Sequence, residues 1–344
     1  MTHKLLSWYH KNKRDLPWRK TLNPYKIWVS EIILQQTQIK TGIKYYRLFI
    51  KKFPNIKALA NADEIEVLNA WQGLGYYNRA LNMLTSAKKV ITEHNGVFPS
   101  KYIDLIKLKG VGEYTASAIS SICSNEKRAV LDGNVYRFLS RLYNIDTPIN
   151  TYLGQKKFQK IATQLMPNKH CGTYNQAIME FGSIHCEKRS PKCVSCPFQS
   201  NCKSFKLSLV KLRPVKNNRI IKKIRYLNYF LIKENEEFII QQRNINDIWQ
   251  KLYELPLIES SQKLTEAQLI KHKYLRSFRV NSITNVFSMN HILSHQKLKI
   301  IFWNTKTKRI NIPTKFKKIT ISQISNYPFP VPLKKYFDKE HLNV

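Results

Sequence analysis

The chain has 344 residues, 43% of them apolar, with 58 Lys and Arg against 22 Asp and Glu, a formal charge of +36. Two domains with cores of their own fit that length, and no run approaches the roughly 18 apolar residues of a membrane-spanning helix. The start, "MTHKLLSWYHKNKRD", carries charge without the apolar core of a signal peptide, so a cytoplasmic protein without membrane contact is expected. Surplus positive charge points to a polyanion, and nucleic acid comes before anionic lipid because no basic amphipathic helix stands out. Codon bias in an A/T-rich genome can inflate the Lys, Ile and Asn content, which would account for part of the magnitude but not for the sign.

Residues 1 to about 205 read as helix after helix. In "NPYKIWVSEIILQQ" Asn23 is placed to cap a helix and Pro24 to open it, with apolar residues following at helical spacing. Glu31 lies on the apolar face of that helix, with Ile27, Trp28, Leu34 and Gln35 three and four positions away. A lone buried Glu usually hydrogen-bonds a neighbouring backbone group, so its placement is a question and not yet an answer. Further amphipathic runs are "ADEIEVLNAW", "NRALNMLTSAKKVITEH", "EYTASAISSIC", "VYRFLSRLY" and "TYNQAIMEFG". In "LKLKGVGEYTASAI", Gly110 and Gly112 permit a sharp turn that presents backbone N–H groups at a helix start, a sequence-independent phosphate site. The same signal suits an ordinary helix–helix turn. Asp132, in "AVLDGNVYRFLSR", would by itself be a helix cap. Together with Glu31 it gives two carboxylates in a basic helical frame, and paired acids are how glycosidic bonds are broken.

Four cysteines follow in "CEKRSPKCVSCPFQSNC": Cys186, Cys193, Cys196 and Cys202. In a reducing compartment such a cluster favours a metal centre over disulfides. Four-thiolate zinc and unligated loop cysteines are the alternatives. A single close pair flanked by singletons departs from the two close pairs usual for zinc and fits an all-cysteine [4Fe–4S] site. Cys123 and Cys171 sit in apolar settings as core residues. Beyond the cysteines, "KLRPVKNNRIIKKIR" reads as a basic linker. "RYLNYFLI" and "EEFIIQQR", joined by the polar turn "KENE", and later "LKIIFW", read as strands of a smaller mixed α/β domain.

In order, "LPWR", "NPYKIWVSEIILQQTQ", "WQGLGYYNRA", "LKGVGEYTASAI", "LDGNVYR", "NQAIMEFG" and the Cys-x6-Cys-x2-Cys-x5-Cys loop resemble the helix-hairpin-helix, iron–sulfur base-excision DNA glycosylases over nearly the whole chain. Within that superfamily the pattern is most similar to the adenine-removing, MutY-type branch. The resemblance implies a multidomain fold: an all-α glycosylase domain over 1–205, with the hairpin at about 105–120 and the iron–sulfur loop at 186–202. A basic linker over 206–222 and a Nudix-like α+β domain over 223–344 complete it. It implies a monomeric, nucleoid-associated bacterial base-excision repair enzyme that removes adenine mispaired with 8-oxoguanine or guanine in double-stranded DNA. The endonuclease III type is the runner-up, but the Schiff-base Lys of those enzymes is replaced here by Tyr114, so strand cleavage should be weak or absent.

Residue by residue, the resemblance makes Glu31 the proton donor to adenine N7, its pKa raised by apolar neighbours. Asp132, kept ionised by a polar setting, would stabilise the oxocarbenium-like sugar or form a transient adduct with it, with Tyr114 and Asn134 orienting both. Gln176 matches a contact to the flipped adenine. Gln36, Thr37, Leu74 and Tyr76 match residues that wedge into the duplex, while Tyr77 is read as core. In "NHILSHQKLKI", Ser294 and His295, with His291 nearby, match the loop that reads 8-oxoguanine, but Leu293 stands where Phe is usual. Lys109 stands where the hairpin usually has Pro. The Nudix-like domain lacks the acidic metal-binding helix, so nucleotide hydrolysis is not expected there. Two further classes stay open: a frame that binds DNA or moves electrons but has lost its chemistry, and a zinc-containing regulator. The intact motifs around Glu31 and Asp132 argue against the first.

Overall fold

The computed structural model describes residues 1–217, 222–244, 246–307 and 314–340. Backbone contacts divide the chain into two compact units, one of residues 1–61 and 82–218, the other of residues 62–81 and 219–344.

Helices build the first unit: α1 (Thr2–Asn12), α2 (Pro24–Leu34), α3 (Ile39–Lys52) and α4 (Ile56–Ala60). The next two helices are α5 (Glu64–Trp71), which belongs to the second unit, and α6 (Asn78–Glu93), which begins there and continues into the first. Then come α7 (Tyr102–Leu105), α8 (Glu113–Ser124), α9 (Gly133–Tyr143), α10 (Tyr152–Leu165), α11 (Cys171–Ile184) and α12 (Lys203–Lys206). Caps set several starts. The Asn23 side chain accepts from the Lys26 backbone N–H at 3.1 Å with Pro24 in the first turn, and Thr151 caps α10 in the same manner. One core joins α1, α9, α10 and α11 through Leu5, Phe138, Phe158 and Phe181, all buried. α11 approaches α9 so closely that a Cβ on Gly182 would stand 2.6 Å from the Asn134 carbonyl oxygen, which makes glycine obligatory there.

Part of the expected linker is folded onto this unit. The Ile149 N–H donates to the Val215 carbonyl at 3.0 Å, and Arg141 Nε reaches the carbonyls of Val210 and Arg213. Residues 218–221 of that segment lie outside the described residues.

In the second unit the strands are β1 (Lys223–Leu231), β2 (Lys233–Glu234), β3 (Glu237–Gln242), β4 (Tyr253–Glu254), β5 (Leu257–Ser260), β6 (Val280–Ile292), β7 (Gln296–Thr307) and β8 (Phe316–Thr320). One sheet has the order β5-β1-β7-β6, with β1 and β7 parallel; in the other, β3 pairs with β2, β4 and β8. The two strands expected on either side of "KENE" therefore sit in different sheets, and the short β2 takes the place beside β3. Leu227, Tyr229 and Leu231 of β1 face one apolar core and Phe230 faces the other, the alternation of a strand covered on both sides. Helices α13 (Glu266–Lys271) and α14 (Lys273–Arg276) lie on one face, and α15 (Val331–Lys339) on the other.

Candidate active site

A cavity of about 410 Å³ in the first unit gathers Glu31, Thr37, Tyr114, Asp132, Asn134 and Gln176 from helices and loops far apart in sequence. Glu31, in the third turn of α2, is buried. Burial is the main cause that pushes its pKa up to about 7. Asp132 adds to that rise, and a hydrogen bond from Tyr114 and the charge of Arg19 oppose it. The Tyr114 hydroxyl also lies 3.1 Å from Met179 Sδ.

Asp132 caps α9. Its carboxylate accepts from the backbone N–H groups of Asn134 and Val135 at 2.9 and 2.8 Å, and from Asn134 Nδ2 at 2.6 Å. The polar setting expected to keep it ionised is only half of its surroundings: burial outweighs these bonds and raises its pKa above the ordinary carboxylate value. Asn134 is fixed in turn by Arg137, which donates to its Oδ1 at 2.8 Å. Gln176 accepts at Oε1 from the Tyr9 hydroxyl at 2.8 Å, which leaves its amide N–H groups for a ligand.

Three charged residues of this cavity were not singled out in the sequence. Glu180 is 1% exposed and accepts from Arg14 at its backbone N, Nε and Nη2, and from Arg19 at Nη1 and Nη2. Burial pushes its pKa up, but the two guanidinium groups prevail and hold it at about 2. The available signal was spacing, because Glu180 lies four residues after Gln176 and so on the same helix face. Asn175 was also missed: it donates to Ser121 Oγ and the Arg128 carbonyl and accepts from the Val130 N–H, which anchors the strand-like approach to Asp132.

At the hairpin Gly110 has φ +80°, and a Cβ there would stand 2.9 Å from Asn82 Cβ, so both backbone and space call for glycine. Gly112 is the N-cap of α8 and offers no side-chain cap, which leaves N–H groups at the helix start. Gln36 is exposed in the left-handed region, φ +59°, and Thr37 Oγ1 is buried without a partner. Leu74 and Tyr76 belong to the second unit, in a loop where Gly73, Gly75 and Tyr76 all have positive φ. Tyr76 is 47% exposed whereas Tyr77 is buried, and Arg79 lies against the Tyr76 and Trp71 rings. Ser294 and His295 are exposed in the turn from β6 to β7, with Ser294 Oγ 3.1 Å from His295 Nδ1. Leu293, where an aromatic was usual, turns inward against the core.

The four loop cysteines surround a small cavity of about 30 Å³ walled by Phe138, Phe181 and Phe198. Arg141 from α9 organises their loop, donating to the carbonyls of Glu187, Lys188 and Cys186 and lying 3.4 Å from Cys186 Sγ. Among the described residues no three His, Cys, Asp or Glu side chains converge closely enough for a single metal ion. Four cysteine side chains lining one small cavity are a donor set that fits a metal centre.

Residues 29–164 match the family profile of the HhH-GPD superfamily base excision DNA repair proteins, and residues 228–339 that of the NUDIX domain. An adenine DNA glycosylase of Buchnera aphidicola subsp. Baizongia pistaciae is 39% identical over 300 residues, 86% of this chain and 83% of that protein. The chain belongs to the adenine DNA glycosylase family. Another family member, the adenine DNA glycosylase of Homo sapiens, is 41% identical over 209 residues, 58% of this chain and 38% of its own length. A thermostable thymine-DNA glycosylase of known structure superposes with a TM-score of 0.56 at 28% identity, covering 60% of this chain and 95% of that one. Endonuclease III, in a trapped covalent intermediate with DNA, shares the fold at a TM-score of 0.53 and 21% identity. As an adenine DNA glycosylase the protein hydrolyses N-glycosyl bonds in base excision repair. Among the described residues no helix is long and apolar enough to cross a membrane.

Proposed function

We propose that this adenine DNA glycosylase acts on adenine mispaired with 8-oxoguanine or guanine in duplex DNA, and that it is monofunctional. One observation carries the reading: a buried glutamic acid poised near neutrality stands in the same cavity as a second carboxylate held by three hydrogen bonds. In this reading the adenosine is turned out of the duplex, which rests on the Gly110–Gly112 hairpin, and the base enters the cavity against Gln176. Glu31 gives its proton to N7, the N-glycosidic electrons leave with the base, and Asp132 stabilises the positive sugar until water adds at its anomeric carbon and returns a proton to the Glu31 carboxylate. Tyr114 and Asn134 hold the two acids in place. Gln36, Thr37, Leu74 and Tyr76 support the opened duplex, and Ser294 and His295 offer hydrogen bonds to the base opposite. The roles follow the chain, with catalysis in 1–205, linkage in 206–222 and recognition in 223–344, except that Leu74 and Tyr76 lie on the 62–81 segment of the second unit.

Cys186, Cys193, Cys196 and Cys202 would hold a [4Fe–4S] cluster, whose contribution is to stiffen a loop rich in Lys and Arg for phosphate contact. Burial raises the thiol of Cys196 to about 11, so an uncomplexed thiol at that position would be unreactive. Purified protein should be brown with about four irons per chain; a colourless, iron-free and active preparation would remove the cluster from this reading.

The deciding assay uses duplexes with adenine opposite 8-oxoguanine, adenine opposite guanine, and an oxidised pyrimidine, each read before and after alkali. Strand cleavage of the first two only after alkali is the expected result. Cleavage without alkali would contradict a monofunctional enzyme, and attack on the oxidised pyrimidine would move the specificity to the endonuclease III type.

A further inference from the structure

Behind the base cavity lies a second one of about 550 Å³, and the two share four lining residues, among them Ile122 and Gln176. We infer that this rear chamber is the exit for the released adenine, which leaves through it while the abasic duplex is still bound. The inference rests on the proposed function, since it needs adenine in the front cavity and DNA over the hairpin.

Helix α8 fixes the direction. It starts at Gly112, in the hairpin; Tyr114 in its first turn lines the front cavity, Ile122 near its end lines both, and Asn125 beyond it lines only the rear one. Thirteen residues from Gly112 to Asn125 at 1.5 Å each separate the hairpin from the far side of the rear chamber by roughly 20 Å. In the proposed function the duplex lies over the hairpin, at the Gly112 end of α8, and the rear chamber is lined by Asn125 at the opposite end.

Of the four shared residues, Arg14 and Arg19 are clasped to Glu180, and Gln176 is the movable one. Among the described residues its side chain has one hydrogen bond, the 2.8 Å contact from the Tyr9 hydroxyl. An unbranched amide can change rotamer on a timescale far shorter than dissociation of a protein–DNA complex. Behind it the walls are polar, with Lys13, His170 and Thr173, so a heterocycle leaving the front cavity meets hydrogen-bonding groups and not an apolar trap. Without such a route the base would wait for the DNA, because the mouth through which it entered is occupied.

The experiment uses the full-length protein with its cofactor and a duplex carrying radiolabelled adenine opposite 8-oxoguanine, under single-turnover conditions. At intervals the protein–DNA complex is separated rapidly from small molecules, and retained adenine is compared with alkali-labile product. Wild type should lose adenine about tenfold or more faster than it loses DNA. Thr173→Trp, which fills the rear chamber, should form alkali-labile product at the wild-type rate yet hold adenine until the DNA leaves. Thr173→Phe serves as a smaller plug if the Trp variant does not fold. The inference is overturned if wild type keeps its adenine for the lifetime of the DNA complex, or if a folded plug variant releases it at the wild-type rate. A wild-type protein that frees no adenine at all would instead remove the proposed function.

Discussion

Two walls of the base cavity bury a glutamate, and they treat it in opposite ways. On the α2 wall, Glu31 takes part in none of the described ion pairs, and burial lifts it to about 7. On the α11 wall, Glu180 is clasped by Arg14 and Arg19 and held at about 2. Both acids line the same space. A buried acid whose desolvation outweighs the one nearby guanidinium charge stays protonated near neutrality, whereas a buried acid bonded by two guanidinium groups is a fixed anion that positions its arginines. In the proposed function, the separation of the two pKa values, and not burial itself, distinguishes the proton donor from the scaffold.

The largest expected effect comes from removing the donor. Glu31→Gln should slow base release by roughly 10²–10⁴-fold under single-turnover conditions while duplex binding persists, and unchanged release would end the assignment. The same variant tests the electrostatics. The folded pKa of Glu31 is above the unfolded one, so the folded state binds its proton more tightly between about pH 4.5 and 7. Stability contributed by the protonated acid is complete below about 4.5 and is lost as the pH rises towards 7. Glu31→Gln should therefore be more stable than wild type at pH 8, by an amount of the order of 1–3 kcal/mol, with the advantage shrinking at pH 5. Thermal melts at the two pH values give the comparison, and an equal difference at both would mean that Glu31 is not raised.

Breaking the other wall should cost stability. Glu180→Gln leaves Arg14 and Arg19 facing a neutral amide, and truncating one partner of a buried pair costs about 3–5 kcal/mol. Urea denaturation at pH 7 measures this; a loss below about 1 kcal/mol would place the pair with ordinary surface bridges. The pH sign is opposite to that of Glu31. Stabilisation by Glu180 is present above about pH 4.5, the ordinary glutamate value, and is lost as the pH falls towards about 2, so acid denaturation should narrow the gap between variant and wild type.

Local chemistry made much of this legible in advance. Asn23 and Pro24 marked the start of α2, the apolar neighbours of Glu31 announced its burial, and "LDGN" showed a helix cap that could also be a carboxylate in a site. What stayed hidden was long-range. Arg14 and Glu180 are 166 residues apart, and nothing in "KNKRD" says which acid it will meet. Strand β6 escaped notice because its exposed positions interrupt the alternation of apolar residues. Residues 62–81 join the second unit through contacts such as that of Gln72 Nε2 with the Phe329 carbonyl, 257 residues away, which no local pattern encodes.

The smallest effect expected concerns recognition and lies in the second unit. The turn after β6 presents Ser294 and His295 to solvent, whereas Leu293 is half-buried, packs against the core and offers no ring to stack on a base. Under the proposed function, selectivity for 8-oxoguanine over guanine would then rest on hydrogen bonds from this turn, and a neutral bond contributes about 0.5–1.5 kcal/mol. Ser294→Ala should lower the ratio of release rates on the two mispairs by roughly 2- to 12-fold, and His295→Ala by a similar factor, leaving single-turnover release opposite guanine nearly unchanged. Leu293→Phe adds the test in the other direction. If the inward path of the chain at 293 limits stacking, the new ring will bury itself and the ratio will stay put; a rise in the ratio would show that the turn can present an aromatic and that only the residue was missing.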